Sequence, residues 1–175
     1  MSPASVMGVD PSFRRTGWAL LTATPQASLK LESWGVIEPK GQGRAEELIS
    51  IADQFSHVLR LHNPLVACFE LPGLWMNGRI SRRSVETMAQ ARGALLMACG
   101  REGVSVAEVE FHRVRSVLLG DHMAGKGQVL DLVRALNLLP KAQGRDLEDS
   151  DVVDAVMMGL FYLTETQCAS LRLFP

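Results

Sequence analysis

Residues 4–23 read ASVMGVDPSFRRTGWALLTA, and this stretch decides how the chain folds. Ala4–Asp10 is short and mostly apolar, which predicts a buried strand that ends on an acidic residue. Pro11–Arg15 contains proline and serine and predicts a turn. Thr16–Ala23 carries the β-branched and aromatic residues that are typical of a second strand. Because so short a turn separates the two strands, we expect them to pair antiparallel.

The segments after residue 23 extend this pair into a larger sheet. Ser28–Ile37 alternates in part between apolar and polar residues, which predicts a third antiparallel strand. Leu65–Leu71 is a continuous apolar run with one acid and predicts a central parallel strand, and Val104–Val109 predicts a fifth strand. Helices are predicted at Gly43–Leu61, Ser81–Gly100, Phe111–Leu119, Gly127–Leu138 and Glu148–Thr164. This order predicts an α/β fold whose mixed sheet has three antiparallel strands, then two parallel strands, and is flanked by helices.

The composition limits the class of protein. The chain has 175 residues, which fits a single domain, and 47% of them are hydrophobic, too many for a disordered chain. No apolar run reaches the ~18 residues that cross a bilayer, and no signal sequence is visible, which predicts a soluble cytoplasmic protein with no membrane partner. The three cysteines, Cys68, Cys99 and Cys168, are far apart, which argues against a zinc site or a disulfide framework.

The net charge of −1 is low for a protein that binds nucleic acid without specificity, because such proteins are usually basic. The acidic residues, however, cluster between Asp146 and Asp154. If those acids face a metal ion, the remaining surface is more basic than the total charge suggests.

Four acidic residues occupy positions that packing does not explain. Asp10 ends the first predicted strand and Glu70 ends the fourth, each after apolar residues. Asp151 and Asp154 are three residues apart and therefore share one face of the last helix. Unpaired charges at the margin of an apolar core are costly, so these acids should pair either with Arg or Lys or with metal ions. An all-oxygen set of ligands would select a hard cation such as Mg²⁺ or Mn²⁺.

Five motifs together resemble the RuvC family of Holliday-junction resolvases, which share the ribonuclease H-like fold. They are MGVDPSFRRTGWAL at 7–20, CFELPGLW at 68–75, QARG at 90–93, GKGQV at 125–129 and DSDVVDAVMMGL at 149–160. Each motif alone is weak, but their order and spacing extend over about Val6 to Leu163. The resemblance implies a single ribonuclease H-like endonuclease domain over residues 1–175 that cuts four-way DNA junctions in homologous recombination and DNA repair.

The resemblance also implies a role for particular residues. Asp10, Glu70, Asp151 and Asp154 would hold two Mg²⁺ or Mn²⁺ ions ~4 Å apart that clamp the scissile phosphate, with Lys126 near that phosphate or the attacking water. DNA-backbone contacts are expected from Arg14, Arg15, Arg79, Arg82, Arg83, Arg113, Arg115 and Lys126. Trp75 either stacks on an unpaired base at the junction centre or packs back on its own domain.

A twofold homodimer is implied as well, because one active site per subunit would cut two opposing strands of a twofold junction. The long helix carries small residues at Ala89, Ala91, Gly93, Ala94, Ala98 and Gly100. These permit either close approach of a second helix or packing on the chain's own sheet. A branch-migration motor complex is a further partner that the resemblance leaves open. One departure stands out: Ser12 and Phe13 replace the glycine and small polar residue that a family member usually has, so the turn geometry and the approach of DNA should differ.

Three other functions compete with junction cleavage. GDHMAGK at 120–126 matches a phosphate-binding loop until its last position, where Gly127 replaces the Ser or Thr that would bind Mg²⁺. A catalytically inactive scaffold that binds branched DNA is opposed by the presence of all four acids. A related nuclease that acts on flaps, forks or other branched nucleic acid would keep the same chemistry and change the substrate.

Overall fold

The computed structural model describes residues 4–23, 29–71, 82–136, 138 and 150–166. Its strands are β1 (Ala4–Asp10), β2 (Thr16–Ala23), β3 (Leu29–Ile37), β4 (Val66–Leu71) and β5 (Ser105–Glu110). Its helices are α1 (Arg44–His62), α2 (Arg82–Glu102), α3 (Phe111–Leu119), α4 (Lys126–Ala135) and α5 (Ser150–Thr166). The predicted order of strands and helices is confirmed. Within the described ranges, no helix is both long enough and apolar enough to cross a membrane.

The five strands form one mixed sheet in the order β3-β2-β1-β4-β5. β1 and β2 are antiparallel, with Asp10 opposite Gly17, and β2 pairs antiparallel with β3. β4 is parallel to both β1 and β5. Val9 of β1 lies beside Phe69 of β4. Asp10 and Glu70, each one residue further along, therefore end neighbouring strands at the same edge of the sheet.

The two faces of the sheet are covered by different helices. Val6 and Cys68 belong to the core formed with α3, α4 and α5, whereas Met7 and Phe69 belong to the core formed with α1 and α2. Because side chains alternate along a strand, Asp10 falls on the same face as Val6, and Glu70 falls on the same face as Cys68. Both acids therefore face α5.

The prediction that α2 ends at Gly100 was wrong. The helix continues to Glu102, and Gly103 follows with φ +69°, a left-handed conformation that glycine adopts without steric penalty. The amide of Val104 then donates a hydrogen bond of 3.0 Å to the carbonyl of Cys99. Gly100 itself is an exposed helical residue. Ser81, where this helix was expected to begin, lies outside the described residues.

Candidate metal centre

Two glycines of the sheet bring the N-terminal half of α5 against β1 and β2. A Cβ atom at Gly8 would overlap the carbonyl oxygen of Ala155, and a Cβ atom at Gly17 would overlap that of Asp151. Only residues without a side chain permit such an approach between a helix backbone and a strand backbone. Since Gly17 is opposite Asp10 in the β1–β2 register, this packing places the start of α5 next to the end of β1.

Asp10, Glu70, Asp151 and Asp154 are therefore gathered on one side of the sheet edge. Burial, followed by the charges of Glu70, Asp154 and Asp151, raises the pKa of Asp10 to about 8. Burial also raises the pKa of Glu70 to about 7, with the charge of Asp154 as the next cause. The pKa of Asp154 is raised by burial and by Asp151. Each of the four carboxylates thus belongs to one electrostatically coupled group.

Asp10 and Glu70 are close enough that each shifts the pKa of the other. Two ionised carboxylates this close repel each other, which favours a proton on one of them when no cation is bound. A divalent cation could replace that proton and neutralise the remaining charge. The donor set, all carboxylate oxygens, fits a hard cation such as Mg²⁺ or Mn²⁺. Among the described residues, however, no group of three or more Asp, Glu, His or Cys side chains has the mutual geometry of a metal site, so binding of an ion would require these carboxylates to move closer together.

Two basic residues stand beside the acids. The positive charge of Arg115 lowers the pKa of both Glu70 and Asp154, and Lys126 lowers that of Asp154. The guanidinium of Arg115 lies 4.3 Å above the ring of Phe111, and its buried Nε has no hydrogen-bond partner in the described part of the chain. Lys126 is the first residue of α4 and borders a recess of about 210 Å³ together with Asp154. Both side chains are available to an anion that approaches the acids.

A third cation at the site has a partner that the sequence did not predict. Arg15 lies in the β1–β2 turn, and its Nε is 3.9 Å from Oδ2 of Asp151 and 3.5 Å from Oε1 of Glu38. We expected Arg15 to contact DNA and expected metal ions to be the partner of Asp151. The only signal in the sequence was the position of Arg15 five residues after Asp10, which does not reveal that the turn folds towards α5.

The comparison with known protein families decides to which one this arrangement belongs. The family model described as "Crossover junction endodeoxyribonuclease RuvC" matches residues 6–160. The chain belongs to the RuvC family. This family is one of metal-dependent nucleases, which agrees with the gathering of carboxylates described above.

Individual relatives match along almost the whole chain. RuvC of Bradyrhizobium diazoefficiens is 28% identical over 171 residues, which is 98% of this chain and 93% of the relative. RuvC of Hyphomonas neptunium is 31% identical over 163 residues, 93% of each chain. The structure of Thermus thermophilus RuvC in complex with a Holliday-junction substrate has a TM-score of 0.76 at 22% identity, and the match covers 91% of this chain and 92% of that one. The expected ribonuclease H-like fold is thereby confirmed.

The departure from the RuvC pattern at the β1–β2 turn is accommodated without displacing Asp10. The hydroxyl of Thr16 donates a hydrogen bond of 2.8 Å to the carbonyl of Ser12, which closes the turn. Phe13 is only 8% exposed and packs into the core beneath α1, where the guanidinium of Arg44 lies 3.9 Å from its ring centroid. Phe13 therefore offers no ring to an approaching DNA base.

The remaining RuvC-type DNA contacts predicted from the sequence do not all converge on the acids. Arg82 pairs with Glu86 at 3.1 Å on the surface of α2. Arg113 pairs with Glu165 at 2.8 Å, close to the end of α5 that is remote from Asp154. Arg14 and Arg83 border a groove on the face of the sheet that carries α1 and α2, opposite the face that carries α5. Trp75 and Arg79 lie outside the described residues.

The stretch at 120–126 does not form a nucleotide-binding loop. A phosphate-binding loop connects a strand to a helix, whereas Gly120 follows helix α3 and adopts φ +69° as its C-terminal residue. The next helix, α4, begins at Lys126. The prediction that this segment follows a helix rather than a strand is confirmed.

Proposed function

We propose that this chain is a crossover junction endodeoxyribonuclease, which resolves four-way DNA junctions by paired, symmetric nicks in homologous recombination and repair. The observation that carries the proposal is the convergence of Asp10, Glu70, Asp151 and Asp154 from two strand ends and one helix. Membership of the RuvC family supports the same activity. We also propose a cytoplasmic location, because the RuvC relatives are bacterial and bacterial DNA lies in the cytoplasm.

The four carboxylates would hold two Mg²⁺ or Mn²⁺ ions, which when bound polarise the scissile phosphate and favour ionisation of the attacking water. The chain's own part is to provide the ligands and to orient the phosphate. Asp10 and Glu70 bind cations in their ionised form, and the guanidinium of Arg115 and the ammonium of Lys126 hold phosphate oxygens beside them. Because Arg115 is stacked on Phe111, it loses little freedom when it binds the phosphate.

We propose that the enzyme is a homodimer that pairs through the outer face of α2. Ala91, Ala94 and Ala98 are buried in the chain's own core, so they do not support a helix contact between subunits. The outer face instead exposes Val85, Ala89, Gly93, Met97 and Gly100.

The two glycines on that face support the pairing. Glycine inside a helix costs about 1 kcal/mol relative to alanine. A Cβ atom at Gly93 or at Gly100 would meet nothing within 4 Å, so the chain's own packing does not explain either residue. Close approach of α2 from a second copy of the chain would explain both glycines. Two active sites related by a twofold axis then match the two strands that must be cut. A branch-migration motor complex as partner rests on the family resemblance alone.

Cleavage of a synthetic four-way junction tests the proposed function. Junction, flap, fork and plain duplex are compared at one salt concentration with Mg²⁺, because phosphate contacts weaken steeply as salt rises. We expect paired nicks at symmetric positions on two opposing strands of the junction. Binding without cutting would favour an inactive scaffold, and faster cutting of flaps or forks would favour a different branched substrate.

A further inference from the structure

A groove of about 900 Å³ lies beside the metal centre, on the face of the sheet that carries α1 and α2. It is bordered by the β1–β2 turn, the segment before α1, the first turn of α1 and the first two turns of α2. Its lining residues include Ser12, Arg14, Arg44, Glu47, Arg83 and Thr87. None of these residues binds metal in the proposed function, and the groove needs its own explanation.

Three exposed arginines from three separate elements border this groove: Arg14, Arg44 and Arg83. Among the residues that the structure describes, none of the three forms an ion pair, unlike Arg15, Arg82 and Arg113. Arg44 is held in place by Phe13, whose ring lies 3.9 Å from its guanidinium carbon. Cations left unpaired in a shared concavity attract an anion.

The other charges of the groove leave an excess of positive charge. Glu38 lies within 3.5 Å of Arg15, which offsets its charge. Glu47 is the second acid of the lining. The first turns of α1 and α2 also border the groove, and the positive ends of these helix dipoles add to the attraction of an anion.

The groove approaches the metal centre from the opposite face of the sheet. Ser12 lies two residues after Asp10 at the groove wall. Met88 borders the groove and also borders a small cavity that it shares with Pro11 and Glu70. A strand whose phosphate lies at the carboxylates can therefore continue into the groove.

We propose that this groove holds the sugar-phosphate backbone of the cut DNA strand on one side of the scissile phosphate, with Arg44 as a phosphate-binding residue that the sequence did not reveal. This inference rests on the proposed function. The backbone rather than the bases is the ligand, because the one aromatic ring in the lining, Phe13, is buried under Arg44. Phosphate contacts of this kind position the strand without selecting its sequence.

Charge-changing variants of the groove test the proposal. Junction affinity is measured as a function of salt in an Asp10→Asn background, which should bind the junction without cutting it. Arg44→Gln and Arg83→Gln should each weaken binding several-fold and lower the slope of log affinity against log salt by about one. Glu47→Gln should act in the opposite direction and tighten binding. Arg101→Gln, at the far end of α2 and about 27 Å from Arg83 along the helix, is the matched control and should leave the slope of its parent unchanged.

Phosphate ethylation adds a readout that a general loss of charge would not produce. Neutralising single phosphates should interfere with binding next to the cut position, and Arg44→Gln should remove that interference at one phosphate while preserving it elsewhere. If Arg44→Gln and Arg83→Gln bind with the affinity and salt slope of their parent, the groove proposal fails while junction cleavage by the wild-type chain still stands. If the wild-type chain does not cut junctions at all, the proposed function and the groove proposal both fail.

Discussion

The carbonyl oxygen of Ala155 on α5 occupies the space where a side chain would stand at Gly8 of β1. Gly8 is two residues from Asp10, and Ala155 directly follows Asp154. The distance between the first strand and the last helix is therefore set by backbone contact at the residues next to the acids. This packing gathers the carboxylates even though their mutual repulsion opposes it.

Replacing Gly8 by alanine should destabilise the fold and separate the acids. The added Cβ overlaps main-chain atoms of α5, which cannot rotate away as a side chain can, so we expect a loss of about 3 kcal/mol or more in the free energy of unfolding. Urea denaturation measures it. Gly127→Ala on α4 is the control, since its Cβ would meet nothing within 4 Å. A Gly8→Ala chain as stable as that control would contradict the packing described here.

Neutralising a metal ligand should remove activity and increase stability. Asp10→Asn, Glu70→Gln and Asp154→Asn should each lower the cleavage rate about a thousandfold or more, since bound metal contributes several kcal/mol to such reactions, while junction binding persists. At pH 8 and without metal, where these carboxylates are more fully ionised, each variant also loses the charge of a partly buried side chain. We therefore expect its Tm in EDTA to rise by a few degrees, about 2–4 °C per kcal/mol for a chain of this size.

The matched control for these substitutions is Asp131→Asn, an exposed acid on α4 whose nearest basic partner is Arg134 at 3.8 Å. It should change neither the cleavage rate nor the Tm. Wild-type cleavage rates in any of the three ligand variants would remove that residue from the metal centre.

The raised pKa values predict how pH affects the metal-free chain. The pKa of Asp10 is about 8 and that of Glu70 is about 7 when folded, against ordinary values of 3.8 and 4.5. The folded chain therefore binds these protons more tightly than the unfolded chain, and the resulting stability is complete at low pH and lost as pH rises towards 8.

Thermal unfolding in EDTA should accordingly show a Tm that falls between about pH 5 and pH 8. Mg²⁺ should raise the Tm more at pH 8 than at pH 6, because at the lower pH it must displace protons from Asp10 and Glu70. In an Asp10→Asn chain, the Tm should fall less over this pH range. A wild-type Tm in EDTA that rises with pH throughout this range would contradict the raised pKa values of Asp10 and Glu70.

The positions of the acids could be predicted from sequence because each has a local signal. Asp10 and Glu70 end apolar strands, and Asp151 and Asp154 share a helix face at a spacing of three. The sequence pattern predicted β4 as a central parallel strand, but not its pairing with β1, which makes Asp10 and Glu70 neighbours. The gathering of the four acids at one site was implied by the resemblance to the RuvC family.

Two of the arginine contacts could not be predicted in the same way. Arg15 meets Asp151 only because the turn leans towards α5, and Arg44 is fixed above Phe13 only because that ring enters the core. Both contacts join elements that are distant in sequence, and neither contact produces a periodic pattern of residues in the sequence. The end of α2 was placed too early because Gly100 and Gly103 both match the signal for a helix terminus, and the sequence does not say which one adopts positive φ.

The dimer predicts a specific effect at Gly93. Gly93→Leu adds a bulky side chain where the isolated chain has open space, so the fold should remain intact while the two helices are forced apart. Analytical ultracentrifugation should show a dimer for the wild-type chain and a monomer for the variant, with similar circular dichroism spectra. The variant should nick single strands rather than produce paired cuts. A Gly93→Leu chain that stays dimeric would require another interface.

Arg15 should weaken metal binding in the absence of DNA. The Arg15 guanidinium, whose Nε lies 3.9 Å from Oδ2 of Asp151, competes with a metal ion for that carboxylate. Since both side chains are partly exposed, the competition is worth up to about 1 kcal/mol, or roughly fivefold in affinity. Calorimetric titration with Mn²⁺ should therefore show tighter binding by Arg15→Gln than by the wild-type chain. Arg14→Gln, which removes the same charge one residue earlier, should bind Mn²⁺ like the wild type. Equal affinities for all three chains would mean that Arg15 does not compete for Asp151, and its role would then be confined to DNA or to Glu38.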